Sequence, residues 1–553
     1  MCGIFAYLDS SNNIMNLDHI DVMFNASQKR GPESSVLKHL SPNVIFGFHR
    51  LAINGLTDES NQPMIHNQYT LICNGEIFNY KELANIYNYN LKTKSDCEII
   101  LHLYESFGVD SFKLLDGEFA FLLYDKNKKE VIAVRDTFGI RPLYINDTTN
   151  GTYFSSTLSG VLNKNLKTNN ISQVIPGSYT IYNNLNHNES HLYKSFHNIS
   201  MTSHTSFTED IYMNNLYTLL ETSIIKRITT SEREVCCLLS GGLDSSLVSA
   251  ICSNYYKDNG KVLETFSIGL KGSLDLYYAK KVSQHIGSIH HEIICTEEDF
   301  IKAIPNVIKD IESYDITTVR ASVGNWLIGK YIKKNTNFKV VLNGDGADEL
   351  MGGYLYFNAC KTQYEFHNEC IRLLENIHYF DVLRSDRSIS SHGLEARTPF
   401  LDNDFAMYFL SIPIKYRKSN ICEKHLIRKM VQTYNPTLLP QDILWRKKEA
   451  FSDGVSSLKR SWYHIIQESV VNYVPVCANN LLTNEELYYR DIFSSNYPNC
   501  EHLIPYKWMP RFITSTDPSA RTLGLYRGKY EYFYIIKEFF TGILMNMYRK
   551  FSF

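Results

Sequence analysis

The chain has 553 residues, a formal net charge of −2, 44% hydrophobic residues and 21% charged residues. This length allows two to four domains, and the composition is ordinary for a globular protein. A net charge this close to zero gives no general attraction to nucleic acid or to an anionic membrane surface. We therefore expect neither as a partner.

The ends of the chain and its cysteines indicate a location. The sequence after Met1 lacks the basic start and the apolar run of a signal peptide. The most apolar stretch, 532–547, is interrupted by Lys537-Glu538 and predicts a terminal helix rather than a membrane span. The 12 cysteines include no Cys-x-x-Cys pair, which favours reduced thiols over disulfides or a zinc site. The prediction is a cytoplasmic protein.

The pattern along the chain changes once and predicts two domains. Short β-branched and aromatic runs such as Val44 to Phe48 predict a strand-rich first domain. Later, helical periods alternate with apolar strands such as Val235 to Leu239, which is typical of a parallel sheet covered by helices. The sequence becomes mainly helical after Asp404. The predicted boundaries are 2–190 for the first domain, 191–205 for a linker, 206–528 for the second domain and 529–553 for a helical extension.

Cys2 is a candidate nucleophile. It directly follows the initiator Met1, and so small a side chain permits removal of that methionine. The thiol would then lie a few atoms from its own α-amine. That amine has a reference pKa of roughly 7.7–8.0, so part of it is neutral near pH 7 and can accept the thiol proton. A cysteine at position 2 is weak evidence by itself.

The motifs that follow Cys2 suit an amino-acid amide as substrate. Asn74 offers a side-chain amide and Gly75 a backbone N–H, which together would form an oxyanion hole for a tetrahedral acyl intermediate. Arg50 suits a substrate α-carboxylate, and Asp96 suits an α-ammonium. Asn-Gly alone also predicts a hairpin turn, but that interpretation leaves the other motifs unexplained.

Taken in order, these motifs resemble the glutaminase domain of the class II, N-terminal-nucleophile amidotransferases, which fold as an αββα sandwich. The matching residues are Cys2, Arg30 to Pro32, His49 to Ile53, Asn74 to Asn79 and Ser95 to Glu98. The resemblance implies that Cys2 attacks glutamine and that Asn74 and Gly75 form the oxyanion hole. The glutamine-binding residues that it implies are Arg50, Leu51, Ile53, Asn74, Gly75, Glu76 and Asp96.

A second motif lies between a predicted strand and a predicted helix. It is the string Ser240-Gly241-Gly242-Leu243-Asp244-Ser245-Ser246. Its glycines let the backbone close around phosphate oxygens, and the new helix presents unpaired N–H groups and a partial positive charge. The serines add hydroxyl donors, and Asp244 is suited to hold Mg²⁺ against phosphates. The Gly-Lys-Ser/Thr ending of a Walker loop is absent.

This string resembles the pyrophosphate loop of ATP pyrophosphatase-type enzymes, which cleave ATP to AMP and pyrophosphate while adenylating a carboxylate. A further acidic stretch, Asn343 to Glu349, follows another predicted strand. Carboxylates at that end of an open α/β sheet lie where ligands bind. A solvated acidic loop is the alternative interpretation of this stretch.

The two motifs together resemble the B-type asparagine synthetase family from Cys2 to about Tyr526. Members of that family are ligases that use glutamine, aspartate, ATP and Mg²⁺ and form β-aspartyl-AMP. They are often homodimers. For ATP and pyrophosphate, the resemblance implies Leu238, Ser240, Gly241, Gly242, Asp244, Ser245, Ser246, Ile268, Asn343, Gly344 and Lys448. For aspartate or the intermediate it implies Thr317, Thr318, Arg320 and Asp345, of which Arg320 and Asp345 would be catalytic. For the metal it implies Asp244 and Asp348.

Three positions depart from the family pattern. Glu33 stands where Asp usually follows Arg-Gly-Pro, and Lys94 replaces a common Gly before Ser-Asp. Asp345 replaces a Glu that assists ammonia attack, and its carboxylate reaches one methylene less far. A misplacement of about 1 Å can cost ~10²-fold in rate, so we expect the surrounding loop to compensate.

Three alternatives stay open on the sequence. A β-lactam-forming synthetase has the same architecture but usually lacks the terminal nucleophile. An enzyme that uses glutamine to amidate another carboxylate would share both motifs. A decayed synthetase that acts as a binding protein is favoured only by Asp345.

Overall fold

The computed structural model describes residues 1–9, 17–162, 170–183, 186–187, 191–192, 207–476, 482–523 and 526. The predicted extension at 529–553 lies outside the described residues, as does most of the predicted linker. The exception in the linker is His191–Leu192, which forms a short strand. None of the helices in the described ranges is long and apolar enough to cross a membrane.

The described residues of the first region form thirteen strands and three α-helices. The strands are β1 (Gly3–Asp9), β2 (Ser34–Ser41), β3 (Val44–Arg50), β4 (Met64–His66), β5 (Tyr69–Ile77), β6 (Gly117–Asp125), β7 (Glu130–Arg135), β8 (Tyr144–Thr148), β9 (Gly151–Ser155), β10 (Ile171–Gln173), β11 (Ser178–Asn183), β12 (Asn186–His187) and β13 (His191–Leu192). The helices are α1 (Leu17–Asn25), α2 (Tyr80–Ile86) and α3 (Glu98–Phe107).

These strands form two antiparallel sheets packed face to face. One sheet has the order β10-β8-β9-β1-β3-β2, and the other has the order β12-β11-β7-β6-β5-β4 with β13 beside β11. Side chains alternate along each strand, so Ile4 and Ala6 of β1 meet Ile72 and Ala120 of the other sheet in a buried core. Helices α2 and α3 cover the outer face of the second sheet. The expected αββα sandwich is confirmed.

The second region alternates strands and helices before becoming helical. Its strands are β14 (Val235–Leu238), β15 (Glu264–Leu270), β16 (Ile289–Cys295), β17 (Val340–Leu342) and β18 (Glu395–Arg397). Its helices are α4 (Glu209–Thr229), α5 (Leu243–Asp258), α6 (Leu274–Ile286), α7 (Glu297–Ile311), α8 (Ile316–Asn335), α9 (Ala347–Met351), α10 (Gln363–Asn376), α11 (Asp381–Ser390), α12 (Asn403–Ser411), α13 (Ile414–Arg417), α14 (His425–Tyr434), α15 (Gln441–Leu444), α16 (Phe451–Gly454), α17 (Trp462–Ser469) and α18 (Asn484–Asn496).

Within the described part of this region, the five strands form one parallel sheet in the order β16-β15-β14-β17-β18. In chain order this is 3-2-1-4-5, so the direction of winding reverses between β14 and β17. Ligands of open parallel sheets bind beyond the carboxyl ends of the strands at such a switch point. The expected parallel-sheet domain with a helical C-terminal part is confirmed, and the switch point locates its pocket.

The two regions share a core. The outer face of the first sheet contributes Phe5 and Tyr7 to a buried cluster that also holds Phe24 of α1. The same cluster contains Ile304 and Val319, from α7 and α8 of the second region. The helical layer on this side of the sandwich therefore includes helices of both regions. The two regions are joined by this apolar packing as well as by the connecting chain.

Candidate active sites

Cys2 lies just before β1, with its thiol against the loop that follows β3. Its Sγ is 3.6 Å from the carbonyl oxygen of Leu51, and the Leu51 N–H lies 3.5 Å from the same sulfur. Burial, reinforced by the negative charges of Glu395 and Glu76, raises the pKa of the Cys2 thiol to about 11. A thiol in this environment stays protonated at neutral pH and needs a base before it can act as a nucleophile.

Met1 is part of the described chain, so Cys2 carries a peptide nitrogen here rather than an amine. The Met1 ammonium is buried, 3.4 Å from the carbonyl oxygen of Leu394 and 3.8 Å from Glu395 of the second region. In a chain without Met1, the amine of Cys2 itself would be the nearest base to the thiol.

Asn74 and Gly75 lie inside strand β5, so the hairpin-turn interpretation of this pair is wrong. The Asn74 side chain is fully buried, and its Oδ1 and Nδ2 have no hydrogen-bond partner among the described residues. A buried amide without hydrogen-bond partners costs free energy in a folded protein, unless a bound ligand supplies those partners. A Cβ at Gly75 would lie 2.3 Å from the carbonyl oxygen of Glu118, so only glycine fits there. Both features fit the predicted oxyanion hole.

Two carboxylates predicted to bind glutamine converge beside this strand. Asn54 donates to Glu76 at 2.5 Å and to Asp96 at 3.4 Å, and the Ile77 N–H donates to Asp96 at 2.7 Å. Burial raises the pKa of Asp96 to about 6, and burial together with the charge of Asp96 raises the pKa of Glu76. Two buried carboxylates close together attract a cation such as a substrate ammonium.

The structure gives Arg50 contacts that the sequence did not predict. Its guanidinium donates to the carbonyl oxygens of Thr57 and Gly55 and to Asn61 Oδ1, so it holds the loop after β3 in place. These three bonds use three of the five N–H groups of the guanidinium, which leaves Nε–H and one N–H of Nη2 for the predicted contact with a substrate carboxylate. Leu51 and Ile53 are buried in the same loop.

Two residues of the first domain depart from the family pattern, and neither disrupts the predicted glutamine site. Glu33 Oε2 accepts a hydrogen bond from the Ala52 N–H at 2.8 Å, so the longer side chain supports the loop beside Cys2. Lys94 is exposed to solvent.

The second site lies at the switch point of the parallel sheet. The Ser240 to Ser246 loop connects β14 to α5, and its Ser240 and Ser245 hydroxyls are 3.0 Å apart. Gly241 has a φ of +70°, and a Cβ there would lie 2.4 Å from the backbone of Tyr278 and Ala279. Glycine is therefore required both by the backbone conformation and by the close packing.

A cleft above this loop collects most of the predicted residues of the second site. Those that line it are Leu238, Ser240, Gly242, Asp244, Ser245, Ile268, Thr317, Thr318, Asn343, Gly344, Asp345, Asp348 and Lys448. Gly241 and Ser246 lie in the loop but do not line the cleft. Helix α8 delivers the threonines, because Asp315 caps its first turn by accepting from the Thr318 N–H at 2.9 Å.

Asp244 and Asp348 face one another across two lysines. Lys424 Nζ lies 2.5 Å from Asp348 and 2.6 Å from both oxygens of Asp244, and Lys448 contacts both carboxylates. Burial alone would raise the pKa of Asp348, but the two lysines outweigh it and hold that pKa at about 2. Two carboxylates that converge on one cation fit Mg²⁺, which commonly takes one or two carboxylates together with phosphate oxygens.

Asp345 is held by an arginine rather than left in solution. Arg384 Nη2 donates to Asp345 Oδ1 at 2.7 Å and also contacts Asp381. The second oxygen, Oδ2, is buried without a hydrogen-bond partner within the described ranges, as is the Thr317 hydroxyl. Burial raises the pKa of Asp345 above its usual range. The cleft thus contains one anchored carboxylate with a free oxygen.

Arg320 also lies outside the lining of the cleft, and unlike Gly241 and Ser246 it is not part of the pyrophosphate loop. Arg320 is 3% exposed, and its guanidinium makes bidentate pairs with Glu485 of α18 and with Asp517. Its predicted catalytic role would require the guanidinium to leave these carboxylates.

Several residues at the two sites carried no recognised signal in the sequence. Asn54 lies one position beyond a matched motif, and Lys424 lies 180 residues from its partner Asp244. Arg384 follows Asp381 by three positions on α11, which predicts an ordinary helix ion pair. These side chains come together only when the chain folds, so no motif in the sequence marks them.

Both parts of the chain match families of known proteins. A glutamine amidotransferase domain matches residues 1–218, and asparagine synthase matches residues 215–367 and 358–509. The chain is thus of the class in which a glutamine amidotransferase domain is joined to a synthase domain.

The curated relatives identify the family. Asparagine synthetase [glutamine-hydrolyzing] of Bos taurus is 40% identical over 565 residues, which covers 95% of this chain and 99% of the relative. The proteins of the same name from Gallus gallus and Homo sapiens are also 40% identical, with the same coverage. The chain belongs to the glutamine-hydrolysing asparagine synthetase family.

Proposed function

We propose that the chain synthesises L-asparagine from L-aspartate and ATP, with ammonia from glutamine, and that the sites described above carry the two half-reactions. The observation that carries the proposal is that both sites are assembled in one chain. Cys2 and the unpartnered Asn74 amide belong to one, and the Ser240 to Ser246 loop opposite Asp345 belongs to the other.

In the first half-reaction, we propose that Cys2 attacks the side-chain amide of glutamine after Met1 has been removed. Its own α-amine takes the thiol proton, which the burial of the thiol makes necessary. Asn74 and the Gly75 N–H stabilise the oxyanion of the tetrahedral intermediate. Glu76 and Asp96 hold the α-ammonium, ammonia leaves, and water hydrolyses the thioester to glutamate.

In the second half-reaction, the cleft holds ATP with its pyrophosphate portion on the Ser240 to Ser246 loop. The side-chain carboxylate of aspartate attacks the α-phosphate, which gives β-aspartyl-AMP and pyrophosphate. Ammonia from the first site then displaces AMP, and the free oxygen of Asp345 is placed to accept a proton from the attacking ammonia. Lys448 offsets the negative charge of the departing pyrophosphate.

Asp244 and Asp348 are the residues that would hold Mg²⁺. A bound Mg²⁺ would neutralise phosphate charge and orient the leaving group. In that state the ammonium groups of Lys424 and Lys448 are free to contact phosphate oxygens instead of the two carboxylates.

The test of the proposed function is a labelled incubation. The full chain is incubated with amide-¹⁵N glutamine, aspartate and Mg-ATP, and asparagine, AMP and pyrophosphate are measured. Labelled asparagine formed in step with AMP and pyrophosphate supports the whole reaction. Glutamate and ammonia without asparagine or AMP would contradict the synthetase half and leave a glutaminase.

The state and location of the protein are also proposals. The family resemblance supports a cytoplasmic homodimer, and the mass in solution by light scattering tests the dimer. A mass of 63.9 kDa, that of a single chain, would contradict it.

A further inference from the structure

The glutamine site contains a cation that comes from the other domain. Arg397 belongs to β18, at the edge of the parallel sheet, and its Nη2 lies 3.3 Å from Glu76 Oε2 in the sandwich. Arg397 is 0% exposed and Glu76 is 4% exposed, so solvent does little to screen this pair.

The rest of the Arg397 guanidinium is fixed by the second domain. Its Nε donates to Glu395 at 2.8 Å, and its Nη1 donates to the Arg227 carbonyl oxygen at 2.6 Å and to the Thr230 hydroxyl at 3.3 Å. Its Nη2 has no hydrogen-bond partner among the described residues. Three bonds thus fix the guanidinium so that its remaining NH2 group, Nη2, faces Glu76 of the glutamine site.

The backbone of Arg397 is anchored beside the second site. It pairs with Leu342 in the parallel sheet, and its carbonyl oxygen accepts a hydrogen bond from the Asn343 N–H at 3.2 Å. Asn343 lines the cleft above the pyrophosphate loop. A strand buried in the sheet is a rigid support, so the guanidinium has little freedom to move away from Glu76.

A positive charge at the position of Arg397 offsets negative charge that is buried around Glu76. Glu76 and Asp96 attract an ammonium most strongly when they are ionised, yet their burial and mutual repulsion oppose ionisation. The described charges near Glu76 are the negative Asp96 and Glu395, and the positive Arg397 and Arg141. Of the two arginines, Arg397 is the one in ion-pair contact with Glu76, since Arg141 pairs with Glu118 and Asp386.

We propose that Arg397 is a positioning residue that the synthetase domain contributes to the glutamine site, where its positive charge favours the ionised form of Glu76 and holds the carboxylate in place for the substrate ammonium. This role rests on the proposed function. It makes the glutaminase site incomplete without the neighbouring domain.

The test compares two variants of the full chain, Arg397→Met and Arg397→Lys. Glutaminase kcat and KM are measured together with asparagine formation from ammonium chloride, which bypasses the glutamine site and reports whether the synthetase domain is folded. We expect Arg397→Met to raise the KM for glutamine at least about tenfold, or 1.4 kcal/mol, with kcat changed much less. Arg397→Lys, which retains the charge, restores part of the affinity.

The matched control is Arg417→Lys. Arg417 is also a buried arginine of the second domain, but it bonds to the Ile412 carbonyl oxygen and to His367, away from Glu76. We expect this variant to keep the wild-type KM for glutamine.

Two results would overturn the role of Arg397. One is an unchanged KM for glutamine in both Arg397 variants. The other is a parallel loss of glutaminase and ammonia-dependent activity in Arg397→Lys, which indicates a purely structural contact. A wild-type chain that hydrolyses no glutamine would refute the proposed function itself, and so would be distinguished from failure of this role alone.

Discussion

Lys424 Nζ lies 2.6 Å from both carboxylate oxygens of Asp244, and it also contacts Asp348. Its side chain is 1% exposed, and a Cβ at Gly353 would lie 2.1 Å from its Cε, so the lysine fills a space kept open by glycine. The cation therefore occupies the position between the two carboxylates that we propose for Mg²⁺.

This relationship predicts that Lys424→Met destabilises the chain in the absence of Mg²⁺. Removal of Lys424 leaves Lys448 to balance two buried carboxylates, and loss of one partner from a buried ion pair costs about 3–5 kcal/mol. Added Mg²⁺ takes the place of the lost cation, so we expect it to raise the melting temperature of the variant more than that of the wild type. Thermal unfolding with EDTA and with MgCl₂ measures both effects.

The control for this prediction is Lys429→Met. Lys429 pairs with Glu209 at the surface, with 41% of its side chain exposed, so its loss should cost at most about 1 kcal/mol. An equal response to Mg²⁺ in wild type and Lys424→Met would contradict a shared cation position.

Asn74→Ala is expected to lower glutaminase kcat by about 10²–10³-fold, the usual loss for one oxyanion-hole donor. Because neither polar atom of Asn74 has a partner among the described residues, the variant should lose little stability. Steady-state glutamate release and thermal unfolding measure the two effects.

Asn79→Ala serves as the opposite case. Asn79 donates to the Leu114 carbonyl oxygen and accepts from the Asp116 N–H, so its loss should lower stability while the glutaminase kcat is kept. Unchanged turnover in Asn74→Ala would remove Asn74 from the proposed oxyanion hole.

The raised pKa of Asp96 predicts a pH dependence of glutamine binding. Burial raises this pKa from 3.8 to about 6, and the ionised form is the one that binds an ammonium. The KM for glutamine should therefore rise as pH falls through about 6, with the wild type compared from pH 5 to pH 8.

The same shift predicts the stability of Asp96→Asn. The pKa of Asp96 is higher in the folded protein than in the unfolded chain, so the protonated carboxyl stabilises the fold. That stabilisation is fully present below the unfolded pKa and is lost as pH rises through about 6. An amide is never ionised, so the melting temperature of the variant relative to wild type should increase over that range. A difference that is constant from pH 5 to pH 8 would mean that Asp96 is not the titrating group.

Asp345→Asn is expected to reduce ammonia-dependent asparagine formation by at least about 10²-fold, as for loss of a general base, while glutaminase activity is kept. The Asp442→Asn variant controls for the substitution itself, because the Asp442 carboxylate is half-exposed and pairs with the half-exposed Lys281. Asp345→Glu should bring no large gain, because Arg384 already holds the shorter carboxylate in the cleft. A large gain with glutamate would show that the loop does not compensate for the missing methylene.

Much of both sites was predictable because each depends on contiguous residues. The Ser240 to Ser246 loop has to be a glycine-rich turn between a strand and a helix, and Asn74 and Gly75 have to be adjacent. The αββα sandwich and the parallel sheet likewise follow from local periodicity, with strand ends that differ by a few residues. Asn74 to Glu76, for example, extend strand β5 to Ile77.

Other features were decided only by the tertiary structure. The sequence determined the two domain types, the loop and the residues that line most of each pocket, because hydrophobic period and turn chemistry act over neighbouring positions. Packing decided that Lys424 reaches Asp244, that Arg397 of one domain faces Glu76 of the other, and that Arg320 is turned toward Glu485 and Asp517. These pairings depend on how separate elements meet in space, and charge complementarity between distant residues leaves no periodic signal along the chain.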